Sequence, residues 1–484
     1  MNNRGVLLHL TCVPNKLGVG DLGKSAYNFV DFLHKEGFTI WSMLPLTETN
    51  QYHCPYGSQS SYGFEIDWID LEEFVKSGQI TNKQYKSIAV KPHGNRVNLT
   101  KYRRKKKKLF DYIYSTLTNQ QLQEIEKTLK SNNRLFNFCL FKSLLEHFKT
   151  RDWRTFEAPI RDRNATAIDY YSNLLHDNIL KYAYFQTVFI RQFESLKKYA
   201  NSKNIELWGD LPIYLEVTAF DIWENPKLVQ LDNNYKEKYF GGVPADGVYP
   251  LQNWHTCIYN WDENRKCVFA WWKNRIQNQL KYFDKVRLDH YIGLINCYKI
   301  PNNDTEEAAW HNSGGMELFE YLLKDIDKDK IFIEDIGTMS KQCKSVRNKL
   351  NLVGMGVLQN AFIDEASKVY LPNKIRKQSI YYCGTHDNNT IVGFLNKLDK
   401  TYKQELKEYY NITNKKSDKE IAVIMINSIL NSKTKYKLFQ LQDLLLKPTK
   451  CRMNCPGTAD KNWNYVASPN YKKVYNKNKV LFNL

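Results

Sequence analysis

Residues 285–290 read KVRLDH. Read as a strand, this places Arg287 and Asp289 on one pleat face, and the acid arrives where the strand stops. Three more stretches follow the same plan: IELWGD at 205–210, KIFIED at 330–335 and SIYYCGTHD at 379–387. Each opens with an apolar or β-branched run and ends in a carboxylate or a His–Asp pair. Acids at the carboxyl ends of several parallel strands are how a (β/α)8 barrel assembles a catalytic pocket. Their types suit glycosidic-bond chemistry, in which one carboxylate attacks and another shuttles a proton.

Working outward, strand-then-helix alternation gives eight strands: Gly5–Leu10, Thr39–Pro45, Ile205–Pro212, Lys285–His290, Lys330–Ile336, Met355–Phe362, Ser379–Thr385 and Lys437–Gln442. Eight such units imply an α/β fold, a closed (β/α)8 TIM barrel. Long gaps follow strands 2, 3 and 7, so large helical and loop inserts are expected at about 50–200, 215–280 and 391–435. Helical stretches such as Gln120–Lys130 and Ile179–Tyr199 are read as inserts over the cleft. With no repeat or Pro/Gly/Ser hinge, residues 1–484 are expected to form one catalytic barrel unit.

Composition excludes several classes. At 42% hydrophobic and 25% charged residues the chain is not disordered. No apolar stretch approaches the roughly 18 residues of a membrane span, and the first apolar run is too short for a signal peptide, so a cytoplasmic location is expected. The ten cysteines form no CxxC pair, so reduced thiols are expected and no metal site. The net charge of +19 raises nucleic acid, and its densest run is RRKKKK at 103–108. That run has no interleaved aromatics and precedes a helical pattern, so it reads as a solvated helix start without a nucleic-acid partner. Gly18, Gly20 and Gly23 match GxGxxG, but a loop containing Pro14 separates them from the first strand. A dinucleotide site needs the glycines directly after the strand, so a plain loop-to-helix entry is expected.

Within 285–290, Arg287 beside Asp289 should lower that acid's pKa and keep it ionised, as a nucleophile needs, although a structural Arg–Asp pair would look the same. Of Glu334 and Asp335 only one can enter the pocket, and Glu334 suits a general acid/base. Asp387, with His386 before it, suits stabilisation of positive charge on a sugar.

The chain resembles the amylomaltase, or disproportionating-enzyme, family of 4-alpha-glucanotransferases within the alpha-amylase superfamily. The similarity runs from end to end through PYGSQS (55–60), GDLPIY (209–214), Arg287–Pro301, Glu334–Gly337, GMGVLQ (354–359), GTHDNNT (384–390) and RMNCPG (452–457). The resemblance implies a retaining transferase that takes an alpha-1,4-glucan donor and a glucose or maltooligosaccharide acceptor. It implies Asp289 as nucleophile, Glu334 as acid/base and Asp387 as transition-state stabiliser. Tyr56, Asp210, Asp246, Trp254, Arg287, His290, His386 and Asn454 would line the sugar subsites. No metal, organic cofactor or membrane partner is implied. An alpha-amylase-like hydrolase and a catalytically weakened glucan-binding barrel remain alternatives. The chain departs from the family at Gly63-Phe64-Glu65-Ile66, where a small residue and Asn-Pro are usual. It also departs at Thr218-Ala219, Ile292 and His255.

Overall fold

The structure, a computed structural model, describes residues 3–57, 59–245, 250–303, 305–413, 415–458 and 461–483. Its centre is a ring of parallel strands: β1 (Asn3–Leu7), β2 (Ile40–Ser42), β3 (Glu206–Leu211), β4 (Lys285–Leu288), β5 (Ile331–Ile333), β6 (Gly354–Val357), β7 (Ser379–Tyr382) and β8 (Tyr436–Gln440). Each overlaps a span read from the sequence. They pair in chain order, and β8 returns to β1 in the register Gly5↔Leu438. The seam between β5 and β6 closes through single bonds. Ile333 N–H donates to the Val353 carbonyl (2.9 Å), and Met355 N–H donates to Asp335 Oδ1 (2.7 Å). Most of these strands are buried on both faces, which is why they read as continuous apolar runs rather than alternating ones.

Helices form the outer ring. Lys24–Lys35 buries Ala26, Phe29, Val30 and Leu33 at helical spacing, and Phe29 meets Trp41 of β2 at 4.8 Å. The helix His176–Ser202 corrects the expectation for Ile179–Tyr199. It packs against β3 and the Lys24–Lys35 helix, so it belongs to the barrel's ring and not to a cover over the cleft. Burial of Phe193, whose ring meets Phe283 just ahead of β4 at 5.2 Å, helps fix it there.

The sequence reading also missed a second sheet. Gln252–Cys257, Tyr239–Val243, Asn296–Pro301 and Ala309–Asn312 pair antiparallel in that order. Two of its strands come after β4, outside the expected inserts. Its strands are short, half-exposed and rich in Gly, Asn and Tyr, which erases the alternation that marks a strand.

The basic run is not a solvated face. It lies inside the helix Leu99–Ser115, whose inward stripe is Leu99, Tyr102, Lys106, Leu109, Phe110 and Ile113. A 3.6-residue period carries at least one of six consecutive basic residues inward. Lys106 is fully buried and donates to the carbonyls of Asp67 and Ile69 (2.6 Å each). Arg103 pairs with Glu65 (2.6 Å) and Asp67 (3.0 Å), so the departure at Glu65 is matched by a cation from this run. The glycine triad is also accounted for by packing. A Cβ on Gly20 would fall 2.1 Å from the Leu10 carbonyl oxygen, and the Gly23 amide at the helix start already donates to Asp21 (3.1 Å). Among the described residues no helix is long and apolar enough to cross a membrane.

Candidate active site

The ends of β3, β4 and β5 converge on one guanidinium. Arg287 leaves β4 on the pleat face that Asp289 shares, and its side chain is buried. Its Nη1 reaches Asp210 at 2.7 Å, while Nη2 reaches both Asp289 (3.0 Å) and Glu334 (2.7 Å). Tyr56 Oη–H donates to the same Asp210 oxygen at 2.7 Å. An oxygen of Asp289 and one of Glu334 thus lie within 3.0 Å of a single nitrogen. That geometry is incompatible with the roughly 6.5–9.5 Å separation of an inverting pair.

The backbone after Asp289 completes this corner. His290 sits at φ 43°, in the left-handed region. A non-glycine residue there costs about 1–2 kcal/mol. The turn aims the His290 N–H at Glu334 Oε2 (2.8 Å), and the Tyr291 N–H at the Glu334 carbonyl (3.1 Å). Strain at one residue therefore gives the carboxylate a fixed donor.

Electrostatics departs from the sequence expectation that Arg287 holds Asp289 ionised. Burial raises the Asp289 carboxyl well above its usual range, ahead of the lowering by Arg287, and Glu334 raises it further. Glu334 ends below its usual range: burial raises it, but Arg287 and the His290 amide together outweigh burial. The physical reason is burial first, with the charges of Glu334 and Asp210 set against the same cation. Glu334 raises Asp289 and Asp289 in turn lowers Glu334, so the two carboxyls titrate as a pair. Burial also lowers His290 to about 4 and lowers His386, so both rings are neutral near pH 7.

Asp387 stands across from this corner, after β7. Its Oδ1 accepts from Asn454 Nδ2 at 2.6 Å, and His386 Nε2 lies 3.4 Å from its Oδ2. The Asn454 N–H donates to the His386 carbonyl at 3.1 Å. The His386 ring stacks on Tyr56 at 4.8 Å and 9°. Tyr56 therefore joins the Arg287 cluster to the Asp387 side.

On the remaining side Trp254, from the strand Gln252–Cys257, meets His290 edge-on at 4.8 Å and lies 6.2 Å from Tyr214. Asp246 lies outside the described residues. The structure therefore brings together Tyr56, Asp210, Arg287, Asp289, His290, Glu334, His386, Asp387, Asn454 and Trp254. Asp335 turns the other way, to Arg347 at 2.8 Å. Two residues escaped the sequence reading. Arg452 donates to the carbonyls of Asp387 and Asn454, and it stood in plain view in RMNCPG. Trp463, at 5.8 Å from Tyr56 and 6.0 Å from His386, is the third ring of that cluster and carried no sequence signal.

Comparison with known proteins gives the family. The family model described as 4-alpha-glucanotransferase matches residues 8–470. The 4-alpha-glucanotransferase of Aquifex aeolicus is 32% identical over 479 residues, covering 97% of this chain and 96% of its own. That of Streptococcus pneumoniae is 30% identical over 468 residues, covering 95% and 92%. Among solved structures, the amylomaltase from Streptococcus agalactiae in complex with acarbose superposes with a TM-score of 0.92 at 27% identity, covering 100% of this chain and 99% of its own. The chain belongs to the 4-alpha-glucanotransferase family.

Proposed function

We propose that this chain moves segments of alpha-1,4-glucan to a glucose or maltooligosaccharide acceptor by double displacement, with Asp289, Glu334 and Asp387 in the reacting roles. The observation that carries the reading is the meeting of Asp289 and Glu334 at one Arg287 nitrogen. A pair this close leaves no room for a water between carboxylate and sugar, so the configuration at the anomeric carbon is retained. An Asp289 oxygen attacks the anomeric carbon as the glycosidic C–O bond breaks, and Glu334 gives its proton to the departing oxygen. The resulting ester is resolved when Glu334 takes the proton of an acceptor 4-hydroxyl, whose oxygen displaces Asp289.

One proton across the pair is the count this reaction starts from. The steps above need that proton on Glu334 and the Asp289 oxygen free to attack. Asp387, oriented by Asn454, supplies negative charge against the cationic sugar of the transition state. Neutral His290 and His386 each offer one donor and one acceptor to sugar hydroxyls. Trp254, Tyr56 and Trp463 present ring faces that pack on sugars and keep water from the ester.

Incubation with maltotriose tests the reading. The expected products are glucose together with oligosaccharides longer than three units. Glucose and maltose alone, with nothing longer, would make the chain a hydrolase.

A further inference from the structure

Asp387 and His386 are held from the far end of the chain, by residues 450–458 and 461–464. Both limbs end on one side chain. Arg96, just before the helix Leu99–Ser115, donates from Nη2 to the carbonyls of Lys450 (3.1 Å) and Arg452 (2.6 Å) on the outgoing limb. From Nη1 it donates to the Lys461 carbonyl (2.9 Å) and Asn464 Oδ1 (3.0 Å) on the returning limb. Backbone bonds flank this clasp: Val97 N–H to the Asn464 carbonyl (3.0 Å) and Val466 N–H to the Asn95 carbonyl (2.9 Å). A guanidinium is a rigid planar fork, so four acceptors on two limbs fix their separation as an ammonium on a flexible stem could not.

The clasp leads directly to the reacting groups. Arg452, whose carbonyl Arg96 holds, uses its own guanidinium on the carbonyls of Asn454 and Asp387. Asn454 then donates to the Asp387 carboxylate, and Trp463 on the returning limb lies by His386 and Tyr56. We propose that Arg96 is a positioning residue for transfer. It ties the limbs 450–458 and 461–464 together so that Arg452 and Asn454 present Asp387 at the geometry the transition state needs. The proposal rests on the reading of Asp387 given above.

The test compares Arg96→Met with wild type on maltotriose, with active sites counted by a fluorinated glucosyl donor that traps the Asp289 ester. We expect kcat per titrated site to fall about 10–100-fold, the scale of a 1 Å misplacement, with KM within about threefold. Because the effect runs through Arg452, which holds both Asn454 and the Asp387 carbonyl, adding Arg96→Met to Arg452→Met should lower kcat by no more than about threefold further. A merely structural role would reduce the titratable fraction and leave kcat per site unchanged, which overturns the proposal. So does a full further loss in the Arg452→Met background. If Arg96→Met does not fold, Asn464→Leu removes one acceptor from the clasp and should still lower kcat severalfold. An unchanged kcat in that variant also overturns the proposal. Asp387→Asn and Asn454→Ala separate the two levels. Loss in both with full kcat in Arg96→Met rejects Arg96 alone, whereas retained transfer in both rejects the role of Asp387 and this proposal with it.

Discussion

Arg287→Met removes the one cation that, among the described residues, pairs with Asp210, Asp289 and Glu334, while keeping most of the side-chain volume. Removing one partner of a buried ion pair costs about 3–5 kcal/mol. At about 2.1 cal/mol/K of unfolding entropy per residue over 484 residues, that is a fall of about 3–5 °C in Tm. The pH dependence has a definite sign. In the wild type Glu334 is held below its usual pKa, so its contribution is present above the unfolded value and lost as pH falls through the folded one. In the variant burial acts without the cation, and the carboxyls rise above their unfolded values. Their contribution is then full below about pH 4 and lost as pH rises through the raised values. The deficit against wild type should therefore be small at pH 5 and widen toward pH 8. Matched thermal scans of both proteins across that range measure it. A deficit that stays constant with pH, or no deficit at all, would refute the reasoning that the guanidinium holds Glu334 ionised against burial.

Asp289→Asn keeps the shape of the site but cannot form an ester, so transfer should fall by several decades. More than about 1% of wild-type activity on maltotriose would remove Asp289 from the nucleophile role. Trp254→Ala should raise the ratio of hydrolysis to transfer on maltotriose, because an indole face worth about 1–3 kcal/mol to an acceptor sugar is lost, by analogy with stacking on bases. Chromatography of the products reads this, and a constant ratio at lower total rate would reject it. Asp443 is buried with its pKa raised to about 7, so its contribution is full below the unfolded value of 3.8 and lost by about pH 7. Asp443→Asn should gain on wild type between those limits by up to about 4 kcal/mol, and a difference in stability that does not grow with pH would contradict it. Since carboxyls alone move the protons in the proposed steps, activity should survive chelators, and loss with EDTA that one added cation restores would overturn the scheme.

The barrel and its acids were legible because parallel strands buried on both faces leave an unmistakable mark. IFI ahead of Glu334 and SIYY ahead of Cys383 are runs that only a covered sheet tolerates, and an acid placed at their end has few uses other than chemistry. The strand period also gave the partition between Glu334 and Asp335. The structure sends the first to Arg287 and the second to Arg347.

Illegible were the features that depend on which charges share a buried volume. KVRLDH shows that Arg287 and Asp289 are neighbours, but not that Asp289 is buried beside Asp210 and Glu334 on the same cation, and that burial, with those two charges, reverses its expected shift. The same limit governs RRKKKK. As letters the six residues are alike, yet helical phase sends Lys106 to the carbonyls of Asp67 and Ile69 and Arg103 to Glu65, while Arg104 and Lys108 bear no such contacts among the described residues. A departure such as Glu65 and a cation such as Arg103 lie far apart in the sequence and close together in the fold. Read separately, one looks like a lapse from the family pattern and the other like a surface charge. Together they are one buried pair, which pins the segment leading from Tyr56 onto the helix that begins just after Arg96.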